Sequence, residues 1–145
     1  MRNSIPWILQ LCGSKSETDS EHNSKVQLAG GNVHLITTSQ KWEEKISEAS
    51  RDCKIVVANF SATWCSPCKV IAPAYCNLAN RYTSMIFLTV DVDELPEFST
   101  SWDIKATPTF FFLKDGRQID KLVGANKQEL QRKISTIADA TTRHK

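Results

Sequence analysis

The sequence has no apolar run long enough to cross a bilayer, no block of like charge, no second close pair of cysteines and no internal repeat. Each absence removes a class of function. A membrane-spanning helix needs about 20 apolar residues, and the N-terminal stretch Ile5–Leu11 is only seven residues long and is interrupted by Gln10. The same stretch makes a poor secretory signal, with one Arg before it and only Leu-Cys-Gly-Ser after it. Arg2 stands where N-myristoylation needs glycine. No integral membrane segment is expected, and the expected location is cytoplasmic.

Net charge is only +2, and residues 1–28 balance Arg2, Lys15 and Lys25 against Glu17, Asp19 and Glu21. The basic residues near the C-terminus, Lys127, Arg132, Lys133, Arg143 and Lys145, are spread around a predicted helix and read as a solvated face. No nucleic-acid partner is expected. A structural zinc site needs four ligands, usually two close pairs. Here Cys65 and Cys68 form one pair, and none of His22, His34 or His144 is followed three or four positions later by a ligand-type residue. No metal or other cofactor is expected. The five cysteines, at 12, 53, 65, 68 and 76, are odd in number and do not suit a secreted disulfide framework.

What is present is the balance of one globular domain: 145 residues, 41% apolar and 23% charged, enough for one core and too few for two. Residues 13–25, GSKSETDSEHNSK, are Ser-rich and nearly free of apolar groups, so they cannot offset the entropy of being ordered. The expected organisation is a disordered extension over 1–28, a domain over 29–140 and a short tail over 141–145, acting as a monomer.

From Gly30 onward, strand and helix patterns alternate. VHLIT (33–37) predicts a strand. Residues 39–50 predict a helix with Trp42, Ile46 and Ala49 inward and Glu43 and Glu44 near its positive end. KIVVANF (54–60) and MIFLTVDV (85–92) are apolar nearly throughout, as strands buried on both faces are. Residues 65–82 carry helical spacing at Cys68, Ile71, Ala72, Leu78, Ala79 and Tyr82, with a kink expected at Pro73. LPEFSTSW (95–102) predicts a short helix. TFFFLK (109–114) and RQIDKLV (117–123) flank Asp115-Gly116, a hairpin signal. A last helix opens at Asn126, with Glu129 placed for a capping box and Leu130, Ile134 and Ile137 inward. Trp42 and Trp102 are expected in the core. The order predicts an α/β fold, a central mixed five-stranded sheet with helices on both faces.

Cys65 and Cys68 fall where the second strand becomes a helix, in Trp64-Cys-Ser-Pro-Cys-Lys69. Two core thiols would be the ordinary reading of buried cysteines, but the C-terminal end of a strand in an α/β sheet is where functional groups are presented. Ser66 and Pro67 fall on the first helical turn, where proline loses no needed hydrogen bond. Residues i and i+3 on a helix bring Cβ atoms to about 5–6 Å, so a disulfide can open and close locally. The helix dipole and free N–H groups favour a thiolate at Cys65. Cys65 is then the nucleophile and Cys68 the resolving thiol of an exchange reaction. Cys53 and Cys76 read as incidental.

With that motif, Pro73 in the same helix, Thr107-Pro108-Thr109 before FFF, and Leu122-Val-Gly124 after the hairpin, residues 30–140 resemble thioredoxin. The phrases GGNVHLIT, KIVVANFSATWC, FLTVDVDEL, SWDIKATPTFFFLKDG and KLVGANK resemble more narrowly the plant h-type thioredoxins, in the branch with an N-terminal extension. The resemblance implies the thioredoxin fold and reduction of disulfides in client proteins. It implies thioredoxin reductase, or glutaredoxin with glutathione, as electron donor. It also implies a cis-proline at Pro108 and a client surface made by Trp64, Thr107, Pro108 and Gly124.

Three positions depart from the family pattern. Ser66 replaces the usual Gly and should tune the potential modestly. Asn59 replaces a buried Asp; it cannot act as a base and is expected to be a hydrogen-bonded core amide. Cys12 lies in the extension, where the resemblance connects such a thiol with reduction by glutaredoxin or glutathione; an inert thiol in a tail is the other reading. Two rival functions are a redox-poor module that holds client peptides and an isomerase or oxidant running the chemistry in reverse.

Overall fold

Strands β2 (Val56–Ser61) and β3 (Ile86–Asp91) are buried at every residue, which is what near-continuous apolar runs produce when both faces of a sheet are covered. They lie at the centre of a five-stranded sheet ordered β1-β3-β2-β4-β5 in a computed structural model that describes residues 32–143. β1 (Val33–Ile36) and β2 each pair with β3 in parallel. β4 (Thr109–Lys114) runs antiparallel to β2, and β5 (Arg117–Val123) antiparallel to β4. The predicted mixed α/β sheet is the one observed. Asp115 and Gly116 both have positive φ, 53° and 76°, the signature of a two-residue type I′ hairpin turn.

The helices are α1 (Ser39–Arg51), α2 (Ser66–Arg81), α3 (Pro96–Ser101) and α4 (Lys127–Arg143). Alternation along the strands divides the core in two. Val56, Ala58 and Phe60 of β2 pack with Trp42 and Ala49 of α1 and Phe98 of α3. Val57 and Phe87 face the other way, onto Ile71, Tyr75 and Leu78 of α2 and Leu130 and Ile134 of α4.

Several local expectations are corrected. The first turn of α1 holds no acidic residue; Glu43 and Glu44 lie one turn further on, and the helix start is stabilised by Thr38, whose hydroxyl accepts from Lys41 N–H at 3.1 Å. β2 begins at Val56, two residues late, because Lys54 N–H is spent closing α1 on Ala49 O. The inward stripe of α2 includes Tyr75 and Cys76. Trp102 is half-buried, its ring 5.1 Å from Phe111 and 5.6 Å from Trp42. The capping box of α4 is half made: Asn126 Oδ1 accepts from Glu129 N–H at 3.0 Å, while the Glu129 carboxylate pairs with Arg132. The predicted 1–28 extension, Cys12 and His144 lie outside the described residues, and α4 runs into the stretch predicted as a tail.

Candidate redox site

The chain leaves β2 at Ser61, crosses Ala62-Thr63-Trp64 and re-enters regular structure at Cys65, the N-cap of α2. Cys65 has extended dihedrals (φ −91°, ψ 109°), as N-cap residues do. Its sulfur takes the part that a Ser or Asp oxygen plays in other caps, accepting the Cys68 N–H at 3.2 Å. Ser66 and Pro67 fill the first two helical positions, as predicted, where the missing proline N–H would have had no partner. Cys65 and Cys68 are joined as a disulfide with Cα atoms 5.3 Å apart. Opening that bond leaves a sulfur already aimed at an N–H and at the positive end of a 16-residue helix, both of which favour a thiolate.

The pair is more enclosed than the sequence suggests. Cys65 retains 4% of its surface and Cys68 1%, whereas Trp64 beside them is 68% exposed and Val70, on the outer face of α2, 76%. Access to the disulfide is therefore limited to the rim at Cys65. Across that rim lies the Thr107–Pro108 peptide, which is cis, with the Thr107 carbonyl oxygen 3.4 Å from Cys65 Sγ. Gly124 N–H donates to Pro108 O at 2.8 Å and fastens the Thr107–Pro108 turn to the end of β5. Gly124 has φ +102°, and a Cβ there would meet nothing within 4 Å, so glycine is needed for its backbone angle and not for space.

Some of the arrangement was not foreseen from the sequence. Trp64 Nε1 donates to Asp93 Oδ1 at 3.4 Å, and Asp93 is itself set by its own N–H on Asp91 Oδ1 at 2.9 Å. Asn59 is buried, as expected, directly opposite Thr89. The expected hydrogen-bonded amide is only partly right, because Asn59 Oδ1 has no partner among the described residues. Tyr75 sends its hydroxyl between the two central strands, 2.6 Å from Leu88 O and 3.0 Å from Val57 O; burial pushes its phenol well above the ordinary range. Cys53 is an exposed free thiol at the opposite end of β2 from the pair. Among the described residues, no cluster of His, Cys, Asp and Glu could hold a metal ion, and no helix is long and apolar enough to cross a membrane.

Chemically, two thiols one helical turn apart that close into a local disulfide exchange two electrons with another disulfide, which makes the protein a thiol–disulfide oxidoreductase. The Thioredoxin family model matches residues 33–136, and the chain belongs to the thioredoxin family. It is 61% identical over 129 residues to Thioredoxin H9 of Arabidopsis thaliana, covering 89% of this chain and 92% of that relative. It is 62% identical over 131 residues to a Thioredoxin H-type of Populus jackii, covering 90% and 94%. The crystal structure of a wild-type poplar thioredoxin h superposes with a TM-score of 0.74 at 68% identity, over 75% of this chain and 98% of that one. The Cys65–Cys68 pair fits the redox-active site of that family.

Proposed function

We propose that Cys65 is the attacking thiol and Cys68 the resolving one in reduction of client disulfides. The Cys65 thiolate attacks one sulfur of the client bond, forming Cys65–S–S–client and expelling the other client sulfur as a thiolate. Cys68, as thiolate, then attacks Cys65 Sγ, expels the second client thiolate and leaves the Cys65–Cys68 disulfide. The client gains two electrons and, from solvent, two protons; the dithiol loses two electrons and is restored by an external donor. The observation that carries this order is the Cys68 N–H on Cys65 Sγ at the helix start, an interaction with no counterpart at Cys68 Sγ among the described residues. Cys65 is also the less enclosed of the two.

The client backbone lies on the rim formed by Trp64, Thr107, Pro108 and Gly124, with Ser66, Pro67 and Asn59 tuning the pair. The donor is thioredoxin reductase or glutaredoxin with glutathione, Cys12 takes part in the choice, and the protein works as a monomer in the plant cytoplasm. Likeness to h-type thioredoxins supports these assignments. They are tested by insulin reduction with each donor system in parallel, for the wild type and Cys12→Ser. Turnover with glutathione and glutaredoxin that is lost in Cys12→Ser supports a recycling role for the extension. Turnover with the flavoprotein, unaffected by Cys12→Ser, removes that role. Absence of turnover with either donor or with dithiothreitol overturns the reductase assignment.

A further inference from the structure

Cys76 takes no part in the exchange at Cys65, and its surroundings in the sequence give it no task. In the structure it is disulfide-bonded. Cys65 and Cys68 are joined to each other and Cys53 is free, so none of these is its partner. Of the five cysteines in the chain, only Cys12 remains.

The position of Cys76 favours the same partner. It lies on the buried stripe of α2, two turns beyond Cys68, and retains 5% of its surface. It belongs to the same packed cluster as Val33, the first residue of β1. One turn further along α2, the Ala79 carbonyl accepts from Asn32 Nδ2 at 3.1 Å. Asn32 is where the described residues begin, so the N-terminal segment joins the domain beside Cys76. Twenty residues separate Cys12 from Asn32. Fully extended, a chain of that length reaches roughly 66–72 Å, against about 24 Å for the whole of α2. Reach is no obstacle, and two thiols on one chain meet at a higher effective concentration than thiols on separate molecules.

The bond would also set Cys12 apart from the redox pair. Cys65 and Cys76 are eleven residues apart on α2, a rise of about 16 Å, whereas a disulfide needs its two Cα atoms within about 7 Å. Cys12 bonded to Cys76 is therefore held away from the Cys65 sulfur. We propose that Cys12 and Cys76 form a second disulfide that fastens the N-terminal segment to α2 and withholds Cys12 from exchange at Cys65. The first half stands apart from the catalytic roles assigned above; the second rests on the part given to Cys12 in the choice of donor. Oxidised glutathione is the oxidant. The Cys12 thiolate attacks it, forming Cys12–S–S–glutathione and expelling one glutathione thiolate. Cys76, as thiolate, then attacks Cys12 Sγ and expels the other. The chain gives up two electrons and two protons, and two molecules of reduced glutathione leave. The reverse exchange with reduced glutathione releases Cys12.

The test is a tryptic map of the full chain, equilibrated with oxidised glutathione and alkylated without reduction. Cleavage after Lys and Arg separates the thiols: peptide 3–15 carries Cys12, 52–54 carries Cys53, 55–69 the redox pair and 70–81 Cys76. The expected product is 3–15 joined to 70–81, absent from both Cys76→Ser and Cys12→Ser, the second of which leaves the core untouched. Peptide 3–15 joined to 55–69, either peptide carrying only alkyl label or glutathione, or a Cys76–Cys76 dimer overturns the second disulfide. Insulin turnover then reads its consequence. With glutathione and glutaredoxin as donor, Cys76→Ser should turn over several-fold faster than wild type, both first equilibrated with oxidised glutathione. With dithiothreitol, which opens both disulfides, the two should be equal; Cys76→Ala gives the same comparison where Ser at this buried position lowers the dithiothreitol rate. Equal turnover with glutathione and glutaredoxin overturns the withholding of Cys12 and leaves the disulfide standing. A wild type inactive with dithiothreitol overturns the dithiol assignment, and the peptide map is read independently of it.

Discussion

The N–H of Cys68 points at the sulfur of Cys65 from one helical turn away, 3.2 Å from nitrogen to sulfur. The two residues of the redox pair are therefore joined in two ways in this structure, through the disulfide and through this hydrogen bond. The bond belongs to the helix start as much as to the chemistry, because Cys65 is the cap residue of α2.

Cys65→Ser should abolish insulin reduction, because the hydroxyl preserves the cap while removing the nucleophile. Cys68→Ser should instead accumulate a covalent mixed disulfide with client, visible as a shifted band on a non-reducing gel and released by dithiothreitol. Trapping through Cys68 in Cys65→Ser and not through Cys65 in Cys68→Ser would reverse the assigned order.

Asp93 holds the indole of Trp64, which is otherwise open to solvent. Asp93→Ala should leave melting nearly unchanged, since an exposed hydrogen bond contributes little to the fold. It should raise KM for a protein client several-fold with a smaller change in kcat, because an unheld indole must be ordered during binding, a cost of about 0.5–1.5 kcal/mol. Unchanged KM would show that the indole contributes nothing to client binding.

Gly124→Ala meets no atom yet places an L-residue at φ +102°. Left-handed backbone costs L-residues roughly 1–2 kcal/mol, so urea unfolding should show a loss of about that size. Activity should fall as well, since Gly124 N–H secures the Pro108 carbonyl. A fully stable variant would mean that the segment relaxes out of the positive-φ region.

His34 is half-buried on β1, and its pKa is lowered, first by burial and then by the ammonium of Lys45, with Glu48 acting in the opposite direction. A folded pKa below the unfolded value near 6.5 means the unfolded chain binds the proton first. This contribution is therefore fully present above about pH 6.5 and is lost as pH falls through the lowered folded value. His34→Gln should flatten the fall in melting temperature between about pH 7 and pH 5 relative to wild type. An unchanged slope would place the acid sensitivity elsewhere.

The elements of the fold were legible because each carries a local signal. β2 and β3 are continuous apolar runs, Asp115-Gly116 suits only a tight turn, and Leu130 and Ile134 recur at helical spacing. The pair Cys65–Cys68 was legible for the same reason, both thiols lying within four residues of one another. Misjudged details were those in which neighbours compete for one partner. Lys54 looks like strand but its N–H completes α1. Glu129 looks like a capping-box acid but its carboxylate goes to Arg132.

By itself, then, the sequence determined the element order, the two apolar faces and the identity of the reactive pair, because spacing along a chain dictates which groups share a helical turn or a strand face. Tertiary structure decided what meets what across the chain. The Thr107 carbonyl beside Cys65, the Asp93 carboxylate on Trp64, and the square of Asn59, Ser61, Thr89 and Asp91 all depend on strand register and on the angle at which a helix crosses a sheet. Those are set by packing of the whole core, and a shift of one residue in β2 or β3 would turn Asn59, Ser61, Thr89 and Asp91 to the opposite face.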